Sequence, residues 1–172
     1  MDVSGWPRQR DGVSCGPSVA VMAGALLDAE YGAALHTEQP QRWFDAEQAR
    51  VHRAINVVWP YALGATPAGV ARAMTEHSIA RGVRYRWRAA RCDDRLADVC
   101  DAVAAGWPVA MLIGAVLPRH WVLLVEIDGT ALRCYEPSSG AVLDIAIDDI
   151  RRSRLAPLGF ARPFAFVTPR CV

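Results

Sequence analysis

The sequence predicts an α+β protein, and three observations carry that prediction. Up to about residue 105, apolar residues recur at helical spacing behind helix-start signals. After Pro108 the pattern changes to short apolar or alternating runs punctuated by Pro118, Asp128-Gly129 and Pro137 to Gly140. Helices first and strands second is an α+β layout with a largely antiparallel sheet. The chain has 172 residues, 52% of them hydrophobic and 22% charged, which suits one folded domain over 1–172 and excludes disorder.

Residues 1–13 are polar and turn-rich and read as a loop. Ser14-Cys15-Gly16-Pro17 opens a helix: Ser14 can cap it and Pro17 suits its first turn. From Ser18 to Glu30 the pattern puts Val19, Met22, Ala23, Leu26 and Leu27 on one face. A short helix is expected from Arg42 to Ile55, and another from Thr66-Pro67 to a stop at Gly82. Val83 to Trp87 reads as an edge strand alternating with Arg84, Arg86 and Arg88. Cys92 to Ala105 reads as a helix with Leu96, Val99, Cys100 and Val103 inward.

Strands are then expected over Pro108 to Val116, Trp121 to Ile127, Ala131 to Tyr135 and Ala141 to Ile147. Asp128-Gly129 signals a hairpin between the second and third of these. A short helix from Asp148 to Ser153 and a strand from Pro163 to Thr168 complete the chain.

A net charge of +1 gives no electrostatic case for nucleic acid or an anionic membrane. Every basic residue is Arg and there is no Lys, as a GC-rich genome or selection against Lys modification would produce. The five cysteines are odd in number, with no CxxC pair and no zinc-finger spacing to His. Reduced thiols are expected, with no cofactor or metal. Arg8 and Arg10 before the apolar Val13 to Leu27 imitate a signal peptide, but Asp11 and Pro17 interrupt it. The expectation is a cytoplasmic protein, or one delivered by specialised secretion, without a membrane span.

Three segments carry chemistry. In Gln9-Arg10-Asp11-Gly12-Val13-Ser14-Cys15-Gly16-Pro17, a cysteine begins a helix. That places it at the positive end of the helix dipole, which favours a nucleophilic thiolate. Gln9 lies on the entering loop, where its amide can donate to an oxyanion together with the Cys15 N–H. Gly16 would let a substrate backbone approach. His120 begins an apolar strand, and Glu136 ends the next one. A hairpin between those strands returns Glu136 beside His120, where it can orient the ring. Nucleophile, base and orienter are the parts of covalent catalysis.

Each residue has a plainer alternative: a buried thiol for Cys15, a structural imidazole for His120, a solvated turn residue for Glu136, a surface amide for Gln9. His36, His52 and His77 read as structural or surface residues, and Cys92, Cys100, Cys134 and Cys171 as core or incidental thiols. The Arg84, Arg86 and Arg88 stripe reads as a solvated edge, with docking of an acidic partner or blocked edge pairing as its other use. Trp121 reads as core, with cleft lining as the alternative.

The motifs together resemble papain-like cysteine peptidases, and among them the double-glycine peptidases that process bacteriocin leaders and their free-standing bacterial relatives. The resemblance rests on Gln9, Cys15-Gly16, Gly106-Trp107-Pro108-Val109, His120-Trp121-Val122 and Glu136-Pro137-Ser138-Ser139-Gly140, in order over nearly the whole chain. It implies a papain-like fold with the active site in a cleft between a helical half and a sheet half. It also implies Cys15 as nucleophile, His120 as base and acid, Glu136 as orienter and Gln9 as oxyanion donor. The pattern usually carries Asp where this chain has Glu136. A peptidase cutting peptide or protein substrates after Gly-Gly is the expectation, as a maturation enzyme or as a toxin paired with an immunity protein. The alternatives are an amidase or transpeptidase with the same residues, on peptidoglycan for example, and an inactive peptide-docking module.

Overall fold

The structure, a computed structural model, describes residues 6–55 and 64–171. Among these residues six α-helices and six strands follow in order: α1 Cys15–Leu27, α2 Ala29–Gly32, α3 Pro40–Ile55, α4 Pro67–Glu76, β1 Val83–Ala89, α5 Ala97–Ala104, β2 Val109–Gly114, β3 Pro118–Asp128, β4 Ala131–Glu136, β5 Ala141–Ala146, α6 Ile147–Arg151 and β6 Arg162–Cys171. The strands form one sheet in the order β1-β6-β2-β3-β4-β5, and every pairing is antiparallel. The α+β expectation holds, and β1 is an edge strand as its alternation suggested.

The sheet is buried on both faces, which two packed halves did not anticipate. Trp121, Leu123, Tyr135, Ala110 and Val167 join one core with Val19, Met22, Phe44, Val70 and Met74 of α1, α3 and α4. Met111, Val122, Leu124, Leu132 and Phe166 join a second core with Val99 and Val103 of α5 and Ile150 of α6. Neighbouring strand residues point to opposite faces, so the apolar run Val109–Gly114 is buried at every position.

α1 is the central helix. It is buried from Cys15 through Gly24 and at Leu27, because it is apolar all round. Leu26, assigned inward from the pattern, is instead partly exposed. The helix ends at Leu27 rather than Glu30, because the Asp28 carboxylate accepts the N–H groups of Glu30 and Tyr31 and starts α2. Thr66 caps α4 by accepting the Gly69 N–H at 3.1 Å, with Pro67 in the first turn as expected. That helix closes at Glu76, and a separate 3-10 turn, Ile79–Arg81, reaches Gly82.

α5 begins at Ala97 rather than Cys92. Asp93 and Leu96 take left-handed backbone conformations, at φ 60° and 55°, which no continuous helix accommodates. Arg88 explains the bend: it is paired with Asp94 at 2.5 Å and with Asp98 at 2.7 Å. This member of the arginine stripe is therefore not a solvated edge residue. No helix among the described residues is long and apolar enough to cross a membrane.

Candidate active site

Cys15 is the first residue of α1 and only 4% exposed. Ser14 precedes it but does not cap the helix. Its hydroxyl turns back to accept the Asp11 N–H at 3.1 Å and lies 3.2 Å from the Asp11 carbonyl. The first-turn N–H groups of Cys15 and Gly16 are therefore left without a side-chain cap. Gly16 has a packing role instead of a substrate-facing one. A Cβ there would lie 2.6 Å from Ala65 Cβ and 3.1 Å from Trp121, so the missing side chain lets the helix start sit on Trp121. Trp121 is itself 2% exposed and donates its indole N–H to Ala65 O at 3.1 Å, which makes it core rather than cleft wall.

His120 lies two residues into β3, and Glu136 closes β4. The hairpin pairs Asp128 with Ala131, so Gly129 and Thr130 form its turn, one residue later than Asp128-Gly129 predicted. Leu123 pairs with Tyr135. Continuing that register puts Glu136 opposite Val122, a diagonal step from His120. Diagonal neighbours across a ladder are about 7–8 Å apart, within reach of a long side chain. The extra methylene of Glu spans the gap: Oε1 lies 2.7 Å from His120 Nε2.

The turn after Glu136 holds the carboxylate still. Ser138 and Ser139 donate their N–H groups to its two oxygens at 2.8 Å each, and the Ser139 hydroxyl donates at 2.6 Å. Gly140 closes the turn in a left-handed conformation, φ 71°, and a Cβ there would lie 2.3 Å from Trp6 O. Burial disfavours the charged carboxylate, but the bonds from His120 and the serines outweigh it and hold Glu136 well below the usual carboxylate range.

Burial likewise opposes a charge on His120. Hydrogen bonds to Cys15 and Glu136 overcome it and raise the imidazole to about 9. Nε2 faces Glu136, which leaves Nδ1 for the thiol. Phe160 stacks on the ring, with centroids 5.4 Å apart and planes 15° apart. The imidazole is thus fixed by an edge partner and a face partner, while one nitrogen is left to work.

Gln9 sits between the other parts. Its backbone N–H donates to Pro137 O at 2.7 Å, and its Oε1 accepts from the Ser138 hydroxyl at 3.3 Å. Its Nε2 donates to Asp11 O at 2.7 Å, which engages one of two amide hydrogens. Gln9 is therefore tied both to the turn carrying Glu136 and to the loop entering α1.

Three neighbours were not singled out from the sequence: Ser139, Phe160 and Gln48. Ser-Ser-Gly behind Glu-Pro is the available signal for Ser139, since such hydroxyls bond locally in turns. Gln48 is fully buried on the α3 face that carries Phe44, Val51 and Ile55, so a polar residue at core spacing marked it. Phe160, in the loop before β6, has no local signal.

The remaining histidines and cysteines lie elsewhere. His52 is buried in α3, and His77 contacts Asp28 and packs at a tilt against Tyr31. Cys134 is enclosed in the core, where burial pushes its thiol far up. Among the described residues no group of three His, Cys, Asp or Glu side chains could hold a metal ion.

Comparison with known proteins gives the same architecture. No family model matches the sequence, and comparison with characterised proteins finds no relative. Solved structures do match. A double-glycine motif protease from an AMS/PCAT transporter, determined with its leader peptide, superposes with a TM-score of 0.55 at 12% identity, over 98% of this chain and 91% of that one. The peptidase domain of Streptococcus ComA, a bifunctional ABC transporter of a quorum-sensing pathway, gives 0.53 at 16% identity, over 95% and 97%. The fold is that of the double-glycine peptidases. Within this papain-like fold, the chain brings Cys15, His120 and Glu136 together and places Gln9 on the adjoining loop.

Proposed function

We propose that the protein is a cysteine peptidase with Cys15 as nucleophile, His120 as general base and acid, Glu136 as orienter and Gln9 as oxyanion donor. One observation carries this reading: His120 is held between Glu136, at 2.7 Å, and Cys15 at the uncapped start of a helix. A structural histidine needs two partners; it does not need one of them to be a thiol beside open N–H groups.

The reaction follows from the parts. The Cys15 sulfur attacks the carbonyl carbon of a peptide bond, and the oxygen takes the negative charge. The Cys15 N–H and the second hydrogen of the Gln9 amide stabilise that oxygen. The C–N bond breaks as His120 gives its proton to the leaving amine. His120 then takes a proton from water, which attacks the thioester and frees Cys15. Glu136 stays ionised throughout and keeps the Nε2–H pointed at itself, so that Nδ1 does the proton transfer.

The fold supports a peptide substrate, and the double-glycine neighbours make cleavage after Gly the specificity of choice. A peptide library varied at the two positions before the scissile bond, read by mass spectrometry, tests both levels. Cleavage after Gly is expected. Efficient cleavage after Leu, Phe or Arg overturns the Gly preference and keeps the peptidase. Transfer to an amine, or turnover of muropeptides alone, replaces the peptidase with the amidase or transpeptidase reading.

A further inference from the structure

The oxyanion donor proposed above is on a loop, and a loop alone does not hold an amide to a fraction of an ångström. Gln48 supplies the missing constraint. It is fully buried on α3, far in sequence from the loop it binds. Its Oε1 accepts the Arg10 N–H at 2.9 Å, and its Nε2 lies 3.3 Å from Arg8 O. Those two groups flank Gln9 on either side. The same Oε1 lies 2.7 Å from the hydroxyl of Ser18, one helical turn past Cys15, whose hydrogen is shared with Ser14 O, also at 2.7 Å. A further contact of Nε2, to Asp45 at 3.4 Å, completes its partners.

We infer that Gln48 is the positioning residue of the oxyanion site: one buried amide fixes the backbone around Gln9 and the first turn of α1 to a common reference. The amide grips the chain before and after Gln9 and leaves the Gln9 side chain alone. It does so in the core, where a hydrogen bond is stronger and a lost one costs more than at the surface. Gln41, which also grips Arg8 through two bonds of 2.9 Å, is exposed and touches only one side of Gln9. Of these two amides, Gln48 is the one that also reaches α1, through Ser18. A plain core-filling role would be met by Leu or Met, which pack the same volume without a buried amide. The inference rests on the reading of Gln9 as oxyanion donor.

Two small electrophiles separate positioning from general damage and need no knowledge of the natural substrate. In 4-nitrophenyl acetate the Cys15 sulfur attacks the ester carbonyl, passes through an oxyanion, expels 4-nitrophenolate and leaves an acetyl thioester that water hydrolyses. Iodoacetamide is attacked at carbon with loss of iodide, and no oxyanion forms. Gln48→Ala is expected to slow acylation by about tenfold or more, as a partly misplaced donor should, while alkylation of Cys15 keeps its rate. In a Gln9→Ala background, Gln48→Ala should cause no further fall, because the group it positions is gone.

A Gln48→Ala effect that is full-size in the Gln9→Ala background overturns the positioning role and leaves Gln9 its own. Equal slowing of both electrophiles also overturns it and makes Gln48 a structural residue. Gln9→Ala at full acylation rate brings down the oxyanion assignment itself, whatever Gln48 does. Should Gln48→Ala fail to fold, Gln48→Glu keeps the volume and the acceptor for Arg10 and loses the donor to Arg8. It should give the same selective loss, and an unchanged ratio of the two rates would overturn the inference.

Discussion

Two ionic clusters of this molecule are built from the same kinds of group and end in opposite states. On the edge strand, Arg88 meets Asp94 and Asp98 through four contacts of 2.5–3.2 Å, and both carboxylates sit below their usual range. On β3 and β4, His120 meets Glu136 through one contact at 2.7 Å. The Arg88 cluster is closed: the guanidinium is spent on Asp94 of the following loop, on Asp98 in the first turn of α5 and on the face of Phe166, and Asp94 accepts the Leu96 N–H in the left-handed turn before α5. The His120 cluster is closed on one side only, since Nε2 is committed to Glu136 and Nδ1 is left for the Cys15 thiol. Charge and burial do not separate the closed cluster from the open one here. What separates them is whether a donor is left over and what it is aimed at.

Breaking each cluster should therefore have opposite consequences, and this is the largest effect expected. Cys15→Ala and His120→Ala should each lower turnover by roughly 10³-fold or more with the melting temperature little changed. Arg88→Ala should keep the Cys15 alkylation rate but destabilise the protein by about 1–3 kcal/mol, the worth of charged hydrogen bonds. For a chain of this size that is a fall of about 2–4 °C per kcal/mol. Iodoacetamide labelling with peptide mapping, run beside a thermal melt, measures both. Near-normal turnover in His120→Ala would mean another base. Labelling of Cys100 or Cys134 ahead of Cys15 would contradict the environment of those thiols, which burial pushes up.

Glu136→Gln sharpens the contrast at a smaller scale. Gln keeps the length but loses the charge, while Phe160 still covers the ring, so a loss on the order of 10²-fold is expected. A full 10³-fold or greater loss would show that the carboxylate charge, and not the geometry, is what His120 needs.

The titration of His120 follows in size. Its imidazole is raised from the ordinary 6.5 to about 9, so its charged form stabilises the fold fully below about pH 6.5 and loses that effect as pH rises through about 9. The alkaline limb of the rate profile should fall in the same interval. Removing the thiol with Cys15→Ala takes away one of the two partners that raise the imidazole. The proton NMR titration of His120 should then move toward 6.5. An unmoved titration would deny that Cys15 bonds the ring.

How much of this was legible in the sequence depends on range. Local signals read correctly: Cys15 at a helix start, the hairpin that returns Glu136, the helix start at Thr66-Pro67. The cap at Ser14 was misread because its hydroxyl found a nearer partner in Asp11. α5 was begun five residues too early because apolar spacing is blind to Arg88, which bends the preceding loop through tertiary contacts. Gln48 and Phe160 reach the site from distant segments, and no spacing rule connects them to Gln9 or His120. The Glu for Asp departure was decided by strand register, which the pattern of residues leaves open.

The smallest expected effect tests whether the serine turn is tuned for the site or merely closes a strand. Ser139→Ala removes the 2.6 Å hydroxyl bond to Glu136 and keeps the backbone N–H. Ser139 is exposed, so the fold should persist with a loss of about 1 kcal/mol at neutral pH. The sign in acid is fixed by linkage. Glu136 is depressed in the folded protein, so it contributes stability above the unfolded carboxylate value near 4.3. That contribution is lost as pH falls through the lower folded value. With one bond fewer, the folded value rises toward the unfolded one and the contribution shrinks. Ser139→Ala should therefore destabilise more at pH 7 than at pH 2, while turnover at neutral pH falls by only a few-fold because His120 keeps its partner. Denaturant melts at the two pH values measure the difference. An equal loss at both would mean that the hydroxyl acts on the turn alone and leaves the carboxylate that holds His120 untouched.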